Sequence, residues 1–198
     1  MLLRSIVPFI ALSSCTREWS VAYDQSAVLS DARDWRLQDV EIVVPQTLTV
    51  SEANSFAPDA DIVWRGEPEG DRRAQVQQIL EAGIRLGASG LRGRRPIIMR
   101  ATLVEFHSVT PRAVANAPGA VHNISFDLQV ADARTGDTLT ETARIEADLA
   151  AFVGDQATEA ARQGQTQRAR VTNHIAAVTR GWLGLGPDPR RTFREYGR

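Results

Sequence analysis

Hydrophobic positions recur along this chain with two different periods, and each change of period marks a new element. Residues 37–44 end in the β-branched run Val40-Glu41-Ile42-Val43-Val44, stopped by Pro45, and read as a strand. Residues 47–50 predict a second short strand. Asp61-Ile62-Val63-Trp64-Arg65-Gly66 predicts a third, ended by the Gly/Pro/Asp-rich turn of residues 66–71. From Arg72 the period lengthens. Val76, Ile79, Leu80, Gly83, Ile84 and Leu86 recur at steps of about three or four residues, the stripe of an amphipathic helix. Asp71 is its predicted N-cap, and Gly87 and Gly90 are placed where a helix end favours a left-handed residue.

Three strands are predicted next. Residues 97–106 are apolar on both faces, which suits a central strand. Residues 123–131 alternate, with Ile124, Phe126, Leu128 and Val130 on one face. Residues 138–149 alternate too, with Leu139, Ala143, Ile145, Ala147 and Leu149 facing inward, and Asp132-Ala133-Arg134-Thr135-Gly136-Asp137 closes a hairpin between these two. The polar Ala/Gln/Arg-rich stretch that follows reads as a loop or a loose helix. Val171, Ile175, Val178 and Trp182 then mark a second amphipathic helix, stopped by Gly184-Leu185-Gly186-Pro187. This order predicts an α+β fold: an antiparallel sheet of about four to five strands with two amphipathic helices packed on one face.

At 198 residues the chain is long enough for one domain and its core. Hydrophobic residues at 43% and charged residues at 24% exclude a disordered chain. The net charge of −1 provides no field to attract nucleic acid, and arginine supplies the strong bases because lysine is absent. The single cysteine, Cys15, forbids an internal disulfide, so the core alone must hold the fold.

The N-terminus changes the picture more. Arg4 precedes an apolar stretch at residues 5–12 that contains Pro8 and ends at Ser13-Ser14-Cys15. That is the order of an export signal. It is too short to span a bilayer, which takes about 20 apolar residues across roughly 30 Å of hydrocarbon. Leu12-Ser13-Ser14-Cys15 resembles the bacterial lipobox. The resemblance implies diacylglycerol on the Cys15 thiol, cleavage before it and acylation of the new amino group. Thr16 stands where an inner-membrane retention signal carries Asp, which is similar to the outer-membrane sorting pattern. The expected organisation is a signal peptide at 1–14, a lipidated tether at 15–36, one periplasmic domain at 37–186 and a flexible tail at 187–198.

Candidate chemistry is sparse. His107 and His122 bracket the loop between two predicted strands and are weak candidates for a zinc or copper site, against the plainer alternative that each bonds loop backbone. No serine sits in a Gly-x-Ser-x-Gly motif, and the one thiol is assigned to lipid, so no catalytic residue, enzyme activity or cofactor is expected. Gly87-Ala88-Ser89-Gly90-Leu91-Arg92-Gly93 follows a helix, whereas a phosphate loop follows a strand and opens a helix. Trp64 with Arg65 and Arg72 forms the most distinctive local composition. It reads either as a partner-binding surface anchored by Trp64, or as a buried Trp64 with Arg65, Arg72 and Arg73 paired to Glu67, Glu69 and Asp71.

Residues 61–66, Gly70-Asp71-Arg72, Phe106-His107-Ser108-Val109-Thr110 and Val121-His122-Asn123-Ile124 resemble a group of uncharacterised alphaproteobacterial lipoproteins that share a domain of unknown function. The resemblance spans roughly residues 45 to 135 and implies no activity. The element order is also similar to small periplasmic lipoproteins that assist envelope machines. The resulting expectation is a non-enzymatic accessory component, held by membrane lipid through acylated Cys15 and binding an envelope protein partner. Its alternative is a metal-binding or hydrolytic envelope protein using His107 and His122.

Overall fold

The chain enters a sheet at its first described residue: the computed structural model describes residues 16–24 and 29–196, and β1 is Thr16–Tyr23. A helical turn, α1 (Leu29–Ala32), leads to β2 (Trp35–Val43). A long excursion holds only the two-residue strand β3 (Ile62–Val63) before α2 (Arg72–Gly87) and a 3-10 turn at Ala88–Gly90. β4 (Arg95–His107) is central, and α3 (Pro111–Asn116) links it to β5 (Val121–Asp132). β6 (Ala143–Ala147), β7 (Leu149–Ala150), α4 (Gly154–Arg162), α5 (Gln167–Trp182) and β8 (Arg191–Tyr196) complete the chain.

The eight strands form one sheet in the order β2-β4-β5-β6-β1-β8, with β3 also on β4 and β7 also on β5. β2 and β3 run parallel to β4, and the remaining pairs are antiparallel. A parallel pair needs a crossover, and α2 lies within it. The α+β expectation holds in outline, but the sheet is larger than four or five strands and is mixed. The extra antiparallel strands come from the two ends. Residues 16–23, expected in a tether, pair with β6 and β8, and residues 191–196, expected in a tail, pair with β1.

Several local expectations are also corrected. Residues 47–50 form no strand, because the Leu48 N–H donates to the Pro45 carbonyl in a turn and only Val50 bridges Ile62. The strand expected at 138–149 is regular only over β6 and β7. Thr138 makes a single bridge to Ala131, and the Thr140 hydroxyl accepts from the Val130 N–H. The hairpin turn at 132–137 is present, with Gly136 at φ +82.

One face of the sheet is apolar. Ile97, Met99, Leu103, Ile124, Phe126, Val130 and Ile145 are buried against Val76, Ile79, Leu80 and Ile84 of α2 and Val171, Ile175, Val178 and Trp182 of α5. Each such side chain contributes about 1.5–3 kcal/mol by leaving water, so this cluster is the main stabilising element. The cap predicted at Asp71 forms, accepting from the Ala74 N–H, and α5 starts on Thr166, whose hydroxyl accepts from the Ala169 N–H. Gly87 is not left-handed. Its φ is −61, and a Cβ there would lie 2.6 Å from the Ala176 carbonyl and 2.7 Å from Thr179 Cβ. The glycine is needed because α2 and α5 approach too closely for a side chain.

Candidate functional site

Trp64 follows β3, and its indole is fully buried, edge-on to Phe106 at 5.7 Å between centroids. Its Nε1–H donates to Glu67 Oε2 at 2.8 Å, while Arg168 of α5 donates to the other Glu67 oxygen. Gly66 has room only for hydrogen, since a Cβ would fall 2.5 Å from the ring. Arg72, at the first turn of α2, has a side chain only 3% exposed. It holds Glu52 with both Nε and Nη2, at 2.6 and 3.1 Å, and donates from Nη1 to the Glu67 and Pro68 carbonyls and to Gln75. Arg65, partly exposed, pairs with the same Glu52 at 3.3 Å. Trp64 and Arg72 are therefore both buried and held by partners within the chain. The acids that hold the arginines differ from the expected ones, because Asp71 is occupied as a cap and Arg73 bonds the carbonyls of Pro45, Gln46 and Leu48.

His107 and His122 are not brought together. His107 sits opposite Asn123 in the β4–β5 register, so His122, one residue earlier, points to the other face. His107 Nε2–H donates to the Pro58 carbonyl at 2.9 Å. His122 is wholly buried, with Nδ1 2.8 Å from Ser108 Oγ and Nε2 unpartnered among the described residues. No group of three metal-ligating side chains occurs among the described residues.

The corner around His122 contains residues that sequence patterning passes over. Arg170 and His174 project from α5, four residues apart beside Val171 and Ile175, a spacing that marks one helix face. Arg170 donates to the Ala150 carbonyl at 2.8 Å and lies 3.4 Å over the Phe152 ring. Burial, with Arg170 and His174 nearby, pushes the His122 imidazole down to about 3. Burial, then Arg191, lowers His174 to about 4. Both rings are neutral at pH 7, and an imidazole so weakly basic is a poor general base. On the opposite sheet face, Asp148 accepts from Asn123 Nδ2, the Ile124 N–H and the Ser20 N–H, yet burial holds its carboxyl above the ordinary range.

Beside this acid, at the end of the sheet where β1 begins, lies a cleft of about 210 Å³. Trp19, Phe56, His107, Ala113, Asn123 and Tyr196 are among its walls. Tyr196 is paired in register with Thr16, and Cys15, bonded to Thr16, lies outside the described residues together with the expected signal peptide. No described helix is long and apolar enough to cross a membrane.

A family model described as "Family of unknown function (DUF6778)" matches residues 35–198. No curated protein matches the chain. Among solved structures, the chain is similar to a Caulobacter crescentus CB15 protein described as a lipoprotein, at 16% identity and a TM-score of 0.33, over 75% of this chain and 93% of that one. A dodecamer of PelC from Paraburkholderia phytofirmans matches at 10% identity and a TM-score of 0.35, over 83% and 96%. A minor lipoprotein from Acinetobacter baumannii matches at 11% identity and a TM-score of 0.31, over 75% and 94%. Likenesses at these TM-scores carry no functional weight.

Proposed function

This chain belongs to the family of unknown function DUF6778, and we propose that it is a membrane-tethered periplasmic lipoprotein serving as a non-enzymatic binding component of an envelope assembly. The observation that carries this reading is the lipobox-like Leu12-Ser13-Ser14-Cys15, bonded directly to the first residue of β1. One acyl chain holds a protein to a bilayer only marginally. Two or three, at about 0.8 kcal/mol per buried CH₂, hold it for the life of the protein. Thr16 in place of Asp favours the outer membrane as the destination.

The buried chemistry supports binding over catalysis. Ser108 and His122 form the serine–histidine pair that a hydrolytic role would use, but Ser108 is nearly buried at the wall of the cleft, His122 is wholly buried behind it, and His122 is too weak a base to activate a hydroxyl at neutral pH. Joint metal ligation by His107 and His122 is opposed by their placement on opposite sheet faces.

Metabolic labelling with an alkyne fatty acid tests the tether. The wild-type chain is expected to take up label and float with membranes, while Cys15→Ser stays unlabelled and accumulates as precursor or soluble protein. Normal labelling of Cys15→Ser would overturn the reading. For the binding role, in-cell crosslinking followed by recovery from the envelope fraction is expected to retrieve a defined protein partner. Repeated recovery of the uncrosslinked chain alone counts against it.

A further inference from the structure

We infer that the end of the sheet where Thr16 pairs with Tyr196 rests on the phosphate-bearing surface of the bilayer, with the cleft walled by Phe56 and Tyr196 as the contact. This rests on the tether at Cys15. Consecutive Cα atoms are about 3.8 Å apart, so lipid on Cys15 leaves Thr16 no room to stand away from the headgroups. β1 then climbs about 3.3 Å per residue away from the anchor, and the antiparallel register sets Tyr196 at the lowest level, beside Thr16.

The side chains at that level have the character of a membrane interface. Phe56 is 50% exposed and Tyr196 39%, which makes them two of the five exposed large hydrophobic residues among the described residues, and both border the same cleft. Leu86, another of the five, lies in a separate groove beside α5. Guanidinium groups accompany the rings: Arg112 lies 4.9 Å over Phe56 and Arg17 5.1 Å over Trp19. Arg112 is in no ion pair among the described residues, whereas Arg17 also faces the buried Asp148 carboxyl and favours its charged form. An aromatic ring with a cation above it suits the headgroup boundary, where the ring meets the upper acyl chains and the cation meets phosphate. Arg194, at the same end of β8, is held 4.0 Å from Glu18 and so adds less charge to the contact.

Brominated-lipid quenching tests the contact in the full-length lipidated chain. Phe56→Trp and Leu86→Trp place a fluorophore at two exposed positions where neither ring disturbs the core. Each chain is reconstituted in phosphatidylethanolamine/phosphatidylglycerol vesicles, with and without lipid brominated near the top of the acyl chain. The expected result is at least a twofold loss of the added emission for Phe56→Trp and little change for Leu86→Trp, with Arg112→Glu restoring the Phe56→Trp signal. Chains that fail to float with vesicles overturn the tether itself. Chains that float, yet show equal quenching at both positions, overturn this inference and leave the tether standing. Added emission that ignores bromine but follows the protein-to-lipid ratio assigns the cleft to a second copy of the chain, and overturns it as well.

Discussion

A methyl group placed on Gly87 probes the crossing of α2 and α5. In an exposed helix, replacing glycine by alanine stabilises by about 1 kcal/mol through propensity. Here the new Cβ would sit 2.6 Å from the Ala176 carbonyl oxygen and 2.7 Å from Thr179 Cβ. Both neighbours are rigid, one being backbone and the other a β-branched carbon in the partner helix. Relief therefore requires the helices to separate, which loosens the buried contacts of Ile84 and Val178 on either side. Overpacking of this kind costs about 1–3 kcal/mol, so its upper range exceeds the propensity gain and leaves a net loss of about 2 kcal/mol. For a domain of this size that lowers Tm by roughly 4–8 °C. Gly90→Ala is the control, because a Cβ there meets only Leu185 Cδ1 at 3.6 Å, and its Tm is expected to stay near wild type. Gly87→Asn separates the two roles a helix-end glycine can have. Asparagine tolerates a left-handed C-terminus but adds more bulk to a tight crossing, so it is expected to be worse than alanine. Thermal melts followed by circular dichroism give the answer. Gly87→Ala at or above the wild-type Tm, or Gly87→Asn milder than Gly87→Ala, would refute the close-approach argument.

Acid should destabilise the fold through its buried histidines. His122 at about 3 and His174 at about 4 lie below the ordinary value of 6.5, so below pH 6.5 the unfolded chain takes up protons that the folded chain refuses. Stability is complete above pH 6.5 and falls as pH drops toward 4, by about 1.4 kcal/mol per pH unit for each fully depressed group. Asp148 and Glu146, raised by burial, act in the opposite sense in the carboxylate range, so the slope is clearest between pH 6.5 and 5. Urea midpoints at pH 7, 6 and 5 measure it, and a flat series contradicts the burial of these rings as neutral species. Arg72→Ala should cost about 2–3 kcal/mol, because it strands the Glu67 carbonyl and frees Glu52. Arg72→Lys should rescue little, since a point charge cannot reproduce the fork on Glu52. Limited proteolysis is expected to cut first within residues 51–60, and a variant as resistant as wild type argues against this clamp.

Periodicity made the interior elements legible. Val76, Ile79, Leu80 and Ile84 marked α2, the 3–4 spacing of Val171 to Trp182 marked α5, and the alternation from Ile124 to Val130 marked β5, because each pattern is a burial pattern that one element expresses alone. Asp71 was readable as a cap for the same reason, as it satisfies an N–H three residues away. β1 and β8 were not readable. In β1 only Trp19, Val21 and Tyr23 alternate beside the exposed Arg17 and Glu18, β8 carries the exposed Arg191 and Arg194, and each pairs with a segment more than a hundred residues distant. His174 and Arg170 were passed over because only the packing of α5 brings them to His122, and Glu52 because only loop closure carries it to Arg72.

The sequence by itself determined where the chain alternates, where its helices begin, and that its one thiol follows a lipobox-like run, all of which depend on residues close together along the chain. Only the tertiary structure decided that β2 lies parallel to β4, that His107 and His122 face opposite ways, that Gly87 serves a crossing and not a cap, and that Thr16 and Tyr196 share one end of the sheet. Those outcomes follow from register and from the fit of distant surfaces, in which a shift of one residue reverses a face and no local pattern records the partner.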